Sequence, residues 1–184
     1  MRRQAYVKDR AAVRARMDRT RQPSLRRMDR DDERVLSRRI DRLDALIAEQ
    51  IATDADLARR AALLRSIPGI GPVVTAMLLA RVHGLGQLRA GQAAASVGVA
   101  PMARDSGLQH QQRRIKGGRR EVRHPLYQAA VTAIRHNPAI RPFADRLRTA
   151  GKPWKKLVTA AARKLIELAN TILKRGTPFQ TIPT

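Results

Sequence analysis

Ser106 lies in the stretch APMARDSGLQHQQRRIKGGRREVRHPLY, residues 100–127, beside an aspartate and a glycine and just ahead of a run of basic residues. A serine that attacks a phosphodiester needs a group to take its proton, positive charge at the pentacoordinate transition state, and a scaffold that holds the phosphate in line. Arg104, Arg113, Arg114, Lys116, Arg119, Arg120 and Arg123 can supply the charge. Asp105 adjoins Ser106, but neighbouring side chains in a loop diverge, so adjacency does not make it the base. On spacing alone, a serine in a D-S-G loop is a turn former. Chemistry at Ser106 therefore has to be argued from what surrounds it.

A second constellation is IPGIGP, residues 67–72, between two apolar segments. The first segment places Leu57, Ala61 and Leu64 on one helical face and stops at Ile67-Pro68-Gly69; the second opens at Pro72, which suits the first position of a helix, and carries Val73, Ala76, Met77 and Ala80. This is the pattern of a helix-hairpin-helix. Gly69 and Gly71 permit a tight turn, Ile70 plugs the small core between the helices, and the backbone N–H groups opening the second helix form an anion site suited to a DNA phosphate. Such a site reads backbone and not base sequence.

The whole chain agrees with a polyanionic partner. Its 184 residues carry a formal net charge of +23, and self-repulsion of that size is relieved by DNA or RNA, with an acidic membrane surface third. Aromatic residues are 3% of the chain, with no cluster that could build a stacking platform, so the composition favours phosphates over bases. On the same reading, Phe143 and Trp154 are core residues. The absence of cysteine excludes disulfides and thiolate metal sites, and the four histidines lack ligand spacing, so no metal site is expected. No apolar run approaches a membrane span, which makes a cytoplasmic protein with no membrane partner the expectation.

The elements that must position these groups read as mainly α. Residues 1–30 form a basic arm, either disordered or helical against nucleic acid, broken near Pro23. Residues 31–55 form a helix opened by Asp31, Asp32 and Glu33, with Leu36, Ile40, Leu43 and Ile47 in a coiled-coil seam. That seam favours pairing between copies over a hairpin within the chain. A compact domain follows over residues 56–178: the helix-hairpin-helix, a short helix within residues 90–97, a loop through Ser106 with a short strand or hairpin in LQHQQRRIKGG, and a helix over residues 119–136 whose start Pro125 can delay. A short helix between Asn137 and Gly151 comes next, then a long one to Lys174 that buries Leu157, Val158, Ala161, Leu165, Leu168 and Ile172, is capped by Gly176, and leads to a tail over residues 179–184.

Four stretches carry a resemblance: LLRSIPGIGPVVTAMLLARV, AASVGVAPMARDSG, RRIKGGRREVRHPLYQAAVTAIRHNP and FADRLRTAGKPWKKLVTAAARKLIELANTILKRGTPF, in that order. Together they resemble the C-terminal domain of the Piv-like insertion-sequence transposases, the DEDD-type recombinases also described as bridge-RNA-guided. The resemblance implies a DNA recombinase in which the serine of the AP…SG loop, here Ser106, attacks the DNA backbone and forms a transient phosphoserine link. Arg113, Arg114 and Lys116, which lie in a stretch that carries the resemblance, are the expected backbone contacts; Gly69, Ile70 and Gly71 of the turn and Arg104, Arg119 and Arg120 of the basic run complete the expected nucleic-acid contacts. Double-stranded DNA is the implied partner, with a guide RNA beside it and a homo-oligomer assembled through the coiled-coil helix. The family's RuvC-like domain, with its acidic magnesium ligands, is not among these residues, so no cofactor is expected on this chain and no recombination without that domain. The alternative from another class is a non-catalytic helix-hairpin-helix nucleic-acid binder, ribosomal-protein-like or regulatory, which would not need the loop around Ser106.

Overall fold

The computed structural model describes residues 2–89, 91–99 and 120–180, with the side chain of Arg120 outside the description. Every regular element among them is a helix: α1 (Arg2–Met17), α2 (Pro23–Thr53), α3 (Ala55–Arg65), α4 (Pro72–Arg81), α5 (Gln92–Ser96), α6 (Arg120–His136), α7 (Arg141–Thr149) and α8 (Trp154–Arg175). They fall into two compact units, Met1–Thr53 and Asp54–Thr184.

The first unit is a pair of helices. The basic arm is ordered as α1, which closes where the Thr20 hydroxyl donates to the Arg16 carbonyl at 2.9 Å. Pro23 then opens α2, so this helix starts there and not at Asp31; a proline lacking its N–H costs nothing where no intrahelical acceptor exists. Within the chain, this seam packs on α1. Ile40 is buried, Leu36, Leu43 and Ile47 are half-buried, and α1 contributes a buried Val13. Arg3 pairs with Asp44, Arg14 with Glu33 at 2.5 Å and Arg16 with Asp29 at 2.6 Å, while Arg39 lies over the Tyr6 ring at 5.6 Å. The short connection between the two helices brings α1 alongside α2. Asp29 is buried and its hydrogen bond with Arg16 pushes that guanidinium further up from its ordinary value.

The second unit is built on α8. Its stripe Leu157, Val158, Ala161, Ala162, Leu165, Ile166, Ala169 and Ile172 is buried, and α6, α7, α3 and α5 all pack on it. Leu168 is half-buried against the same core. Gly176 ends the helix at φ 69°, the left-handed conformation that a glycine cap adopts without strain. At α3 the Asp54 carboxylate accepts the Leu57 N–H at 2.9 Å, capping the helix start. Two residues on, the Asp56 carboxyl is hydrogen-bonded by Arg59 and held below its ordinary range.

Two helices depart from the expectation. In α4 the buried positions are Val74, Thr75 and Leu78, whereas Val73 and Ala80 are exposed, so the inward face is turned by one residue from the one read off the spacing. The segment VVTAMLLA is apolar nearly all round, and its periodicity cannot choose a face. In α6 the helix runs through Pro125 and is not delayed by it. Val122, Leu126, Ala129, Ala130 and Ala133 are buried along it, and that burial outweighs one forfeited hydrogen bond to the exposed Glu121.

Candidate nucleic-acid interface

Between α3 and α4 the chain reverses over Ser66 to Gly71. The Ile67 N–H donates to the Leu64 carbonyl at 3.2 Å and the Ile70 N–H to the Ile67 carbonyl at 3.0 Å. Gly69 sits at φ +104°, and a Cβ placed there would stand 2.8 Å from the Ala133 Cβ and 2.9 Å from the Ala129 carbonyl oxygen. The turn thus needs glycine twice over, for its dihedral and for its approach to α6. Ile70 points into the core at 4% exposure.

Gly71 has the opposite character. Its φ of −89° and ψ of 179° are ordinary extended values, and a Cβ there would meet nothing within 4 Å. It precedes Pro72, and the Thr75 N–H closes the first turn of α4 on the Gly71 carbonyl at 2.9 Å. The N–H groups of Val73 and Val74 fall in the first turn, where no intrahelical acceptor exists. Gly71, Pro72 and Val73 are exposed, so this end of α4 is open to a ligand, with the positive end of the helix dipole behind it.

Of the predicted contact residues, the structure therefore separates three. Gly69 and Ile70 shape and anchor the turn, and Gly71 presents it. Arg120 opens α6. Ser106 lies outside the described residues, as do Arg104, Arg113, Arg114, Lys116 and Arg119 and the expected strand or hairpin in LQHQQRRIKGG. Arg123, on α6, is half-buried.

Sequence reasoning missed the polar side chains that hold this scaffold. Asn137 is fully buried; its amide N–H donates to the Pro68 carbonyl at 2.9 Å, and its side-chain oxygen accepts the Ala139 N–H at 2.9 Å. It joins the end of α6 to the α3–α4 turn, and its position just before Pro138 was a turn signal that could have drawn attention to it. Asn170, on α8, accepts the Gly86 N–H at 2.7 Å and donates to the Leu88 carbonyl at 3.0 Å, fixing the loop after α4. The Ser66 hydroxyl accepts the Phe179 N–H at 2.8 Å and donates to the Leu63 carbonyl at 2.7 Å, which ties the C-terminal segment to the same turn. Arg81 pairs with Glu121 at 3.3 Å, linking α4 to α6.

The aromatic residues need a correction. Phe143 is half-buried with the Lys164 ammonium 4.7 Å from its ring centroid, but Trp154 is not a core residue and stands 48% exposed. The inward face of the first turn of α8 is taken by Leu157 and Val158, which leaves the indole outside.

This scaffold, a tight turn held against α6 and followed by the segment bearing Ser106, coincides with a known protein region. Residues 61–145 match the model of the Transposase IS116/IS110/IS902 family. The match runs from α3 through the turn, α4, α5 and Ser106 into α7. The pilin gene-inverting protein of Moraxella bovis is 32% identical over 153 residues, covering 81% of this chain and 48% of that protein. The 43.6 kDa protein of insertion element IS110 from Streptomyces coelicolor is 30% identical over 120 residues, 64% of this chain and 30% of that protein. The 42 kDa protein of insertion element IS900 from Mycobacterium paratuberculosis is 31% identical over 134 residues, 71% and 33% respectively. The chain thus spans about half or less of the length of these relatives.

Proposed function

We propose that this chain is the DNA-binding, serine-bearing part of a transposase or site-specific recombinase. One observation carries the reading: the transposase-family match spans both the open end of α4 and Ser106. Here the α3–α4 pair acts as a helix-hairpin-helix. The amides at Gly71, Val73 and Val74 take a phosphate of duplex DNA, and Arg113, Arg114, Lys116, Arg119 and Arg120 neutralise its neighbours. Ser106 is the nucleophile: its Oγ forms a bond to phosphorus, the bond from phosphorus to one deoxyribose oxygen breaks, the hydroxyl proton passes to a base, and the departing oxygen takes up a proton. The strand is then held as a phosphoserine; the hydroxyl oxygen of a second strand bonds to phosphorus and loses its proton to a base, the bond from phosphorus to the serine Oγ breaks, and Oγ takes up a proton, which joins the strands and frees the serine.

Magnesium, where the whole protein uses it, is held by the RuvC-like half; the chemistry given to Ser106 is not routed through it. The guide RNA and the homo-oligomer are partners of that whole assembly. The test joins this chain to the RuvC-like half of a relative and follows the covalent protein–DNA adduct. Ser106→Ala is expected to abolish the adduct while DNA binding survives; an adduct formed normally by that variant overturns the assignment.

A further inference from the structure

We propose that Trp154 and the lysines around it form a second DNA contact, one that takes an unpaired strand and stacks a base on the indole. This rests on the reading of the chain as DNA-binding and adds a substrate form that the α4 end does not serve.

The chain has five aromatic residues, and four of them have their rings engaged or packed. Tyr6 lies under Arg39, Phe143 lies beside Lys164, and Tyr127 and Phe179 are half-buried against the core. Trp154 alone is exposed, and among the described residues no cation or ring is set against it. Its indole is the one exposed ring of the chain, set at the start of a helix that otherwise buries its apolar face.

What the contact fits follows from charge. Between Asp145 and Glu167 there is no acidic residue and there are seven lysines or arginines. Lys152, Lys155 and Lys156 flank the indole, all three are exposed, and none makes an ion pair among the described residues. The two acidic residues bounding the segment are themselves engaged, Asp145 by Arg148 at 2.6 Å and Glu167 by Arg163 at 3.0 Å. An indole with free ammonium groups on either side suits a strand whose bases stack while its phosphates are neutralised. A paired base offers no face to stack on, so the occupant is single-stranded DNA, which a recombinase exposes when strands are cut and exchanged.

The display is rigid. The Gly151 N–H donates to the Arg148 carbonyl at 3.0 Å and the Lys152 N–H to the Leu147 carbonyl at 3.1 Å, closing α7 with Gly151 at φ +68°. The Pro153 carbonyl accepts the N–H groups of Lys156 at 2.9 Å and Leu157 at 3.0 Å, and buried Leu157 and Val158 pin the turn beneath. The backbone that carries the indole is therefore fixed before any strand arrives, which limits the ordering cost of binding.

Trp154 is the single tryptophan of the chain, so its intrinsic fluorescence reports this site directly. The whole chain is titrated with an oligothymidylate of about fifteen nucleotides, with a duplex of equal length, and with the matching oligouridylate. Saturable quenching by the single-stranded DNA, stronger than by the duplex, is expected. In anisotropy, Trp154→Ala is expected to weaken oligothymidylate binding on the order of 10-fold, Trp154→Phe to retain part of it, and duplex binding to change by less than about twofold. Circular dichroism is expected to show both variants folded, because the ring is outside the core. Binding without quenching, or equal loss for duplex and single strand, overturns the stacking contact while leaving the DNA-binding reading intact. Tighter binding of the oligouridylate overturns the assignment to DNA. No binding of any oligonucleotide sinks the DNA-binding reading itself.

Discussion

The amide of Asn137 reaches the carbonyl of Pro68 at 2.9 Å, and through this one bond the end of α6 holds the turn between α3 and α4. The buried side chain also accepts the Ala139 N–H, so both its nitrogen and its oxygen have a partner. The geometry of the open α4 end is therefore set from α6 as much as from the glycines of the turn.

Removing that side chain takes the partner from the half-buried Pro68 carbonyl and from the Ala139 N–H and empties a fully buried position. Asn137→Ala is expected to destabilise the domain by about 2 kcal/mol in urea unfolding, from the lost hydrogen bonds and the cavity together. Duplex binding should fall with it under conditions where the variant is still folded, because the turn loses its tether.

The two glycines of the turn are expected to separate stability from binding. Gly69→Ala meets both a positive φ of 104° and a contact at 2.8 Å, and should cost about 2 kcal/mol or more. Gly71→Ala, with ordinary dihedrals and nothing within 4 Å, should leave thermal unfolding nearly unchanged. Its added methyl stands where a phosphate would approach, so duplex affinity should fall severalfold. Unchanged affinity in the folded Gly71→Ala protein would remove the α4 end from the interface.

Binding to duplex DNA should weaken steeply with salt. A site that neutralises Z phosphates loses affinity with a slope of about −0.9Z in log K against log salt. A flat response in a filter or anisotropy titration contradicts the phosphate-reading mechanism.

In the first unit, Ile40 is 3% exposed and Leu46 is 48% exposed on the same helix. Ile40→Ala is expected to cost about 2–4 kcal/mol of the α1–α2 pairing, and Leu46→Ala little. Hydrogen exchange at α1 amides checks this: protection should collapse in the first variant and persist in the second, at protein concentrations spanning any self-association.

Much of the architecture was legible because it is written in local rules. Pro72 opens α4, Gly176 at φ 69° closes α8, and the spacing of Leu157, Ala161, Leu165 and Ile172 makes one buried stripe. Each of these follows from a residue's own dihedral limits or from the 3.6-residue period, and neither depends on a distant partner. The charge of +23 and the resemblance running through the Ser106 loop belong to the same class, since they need no folded structure to be read.

What tertiary structure decided are the matters in which two segments compete or meet. The seam of α2 could pair with any apolar helix, and within the chain it is α1 that packs on it. An α4 that is apolar nearly all round takes its inward face from the turn and from α6. Asn137 and Pro68 stand 69 positions apart, and nothing in either local sequence specifies that they bond. Trp154 is outside because Leu157 and Val158 occupy the inward positions of its turn, a choice made by the whole core and invisible to an average preference of aromatic residues for burial.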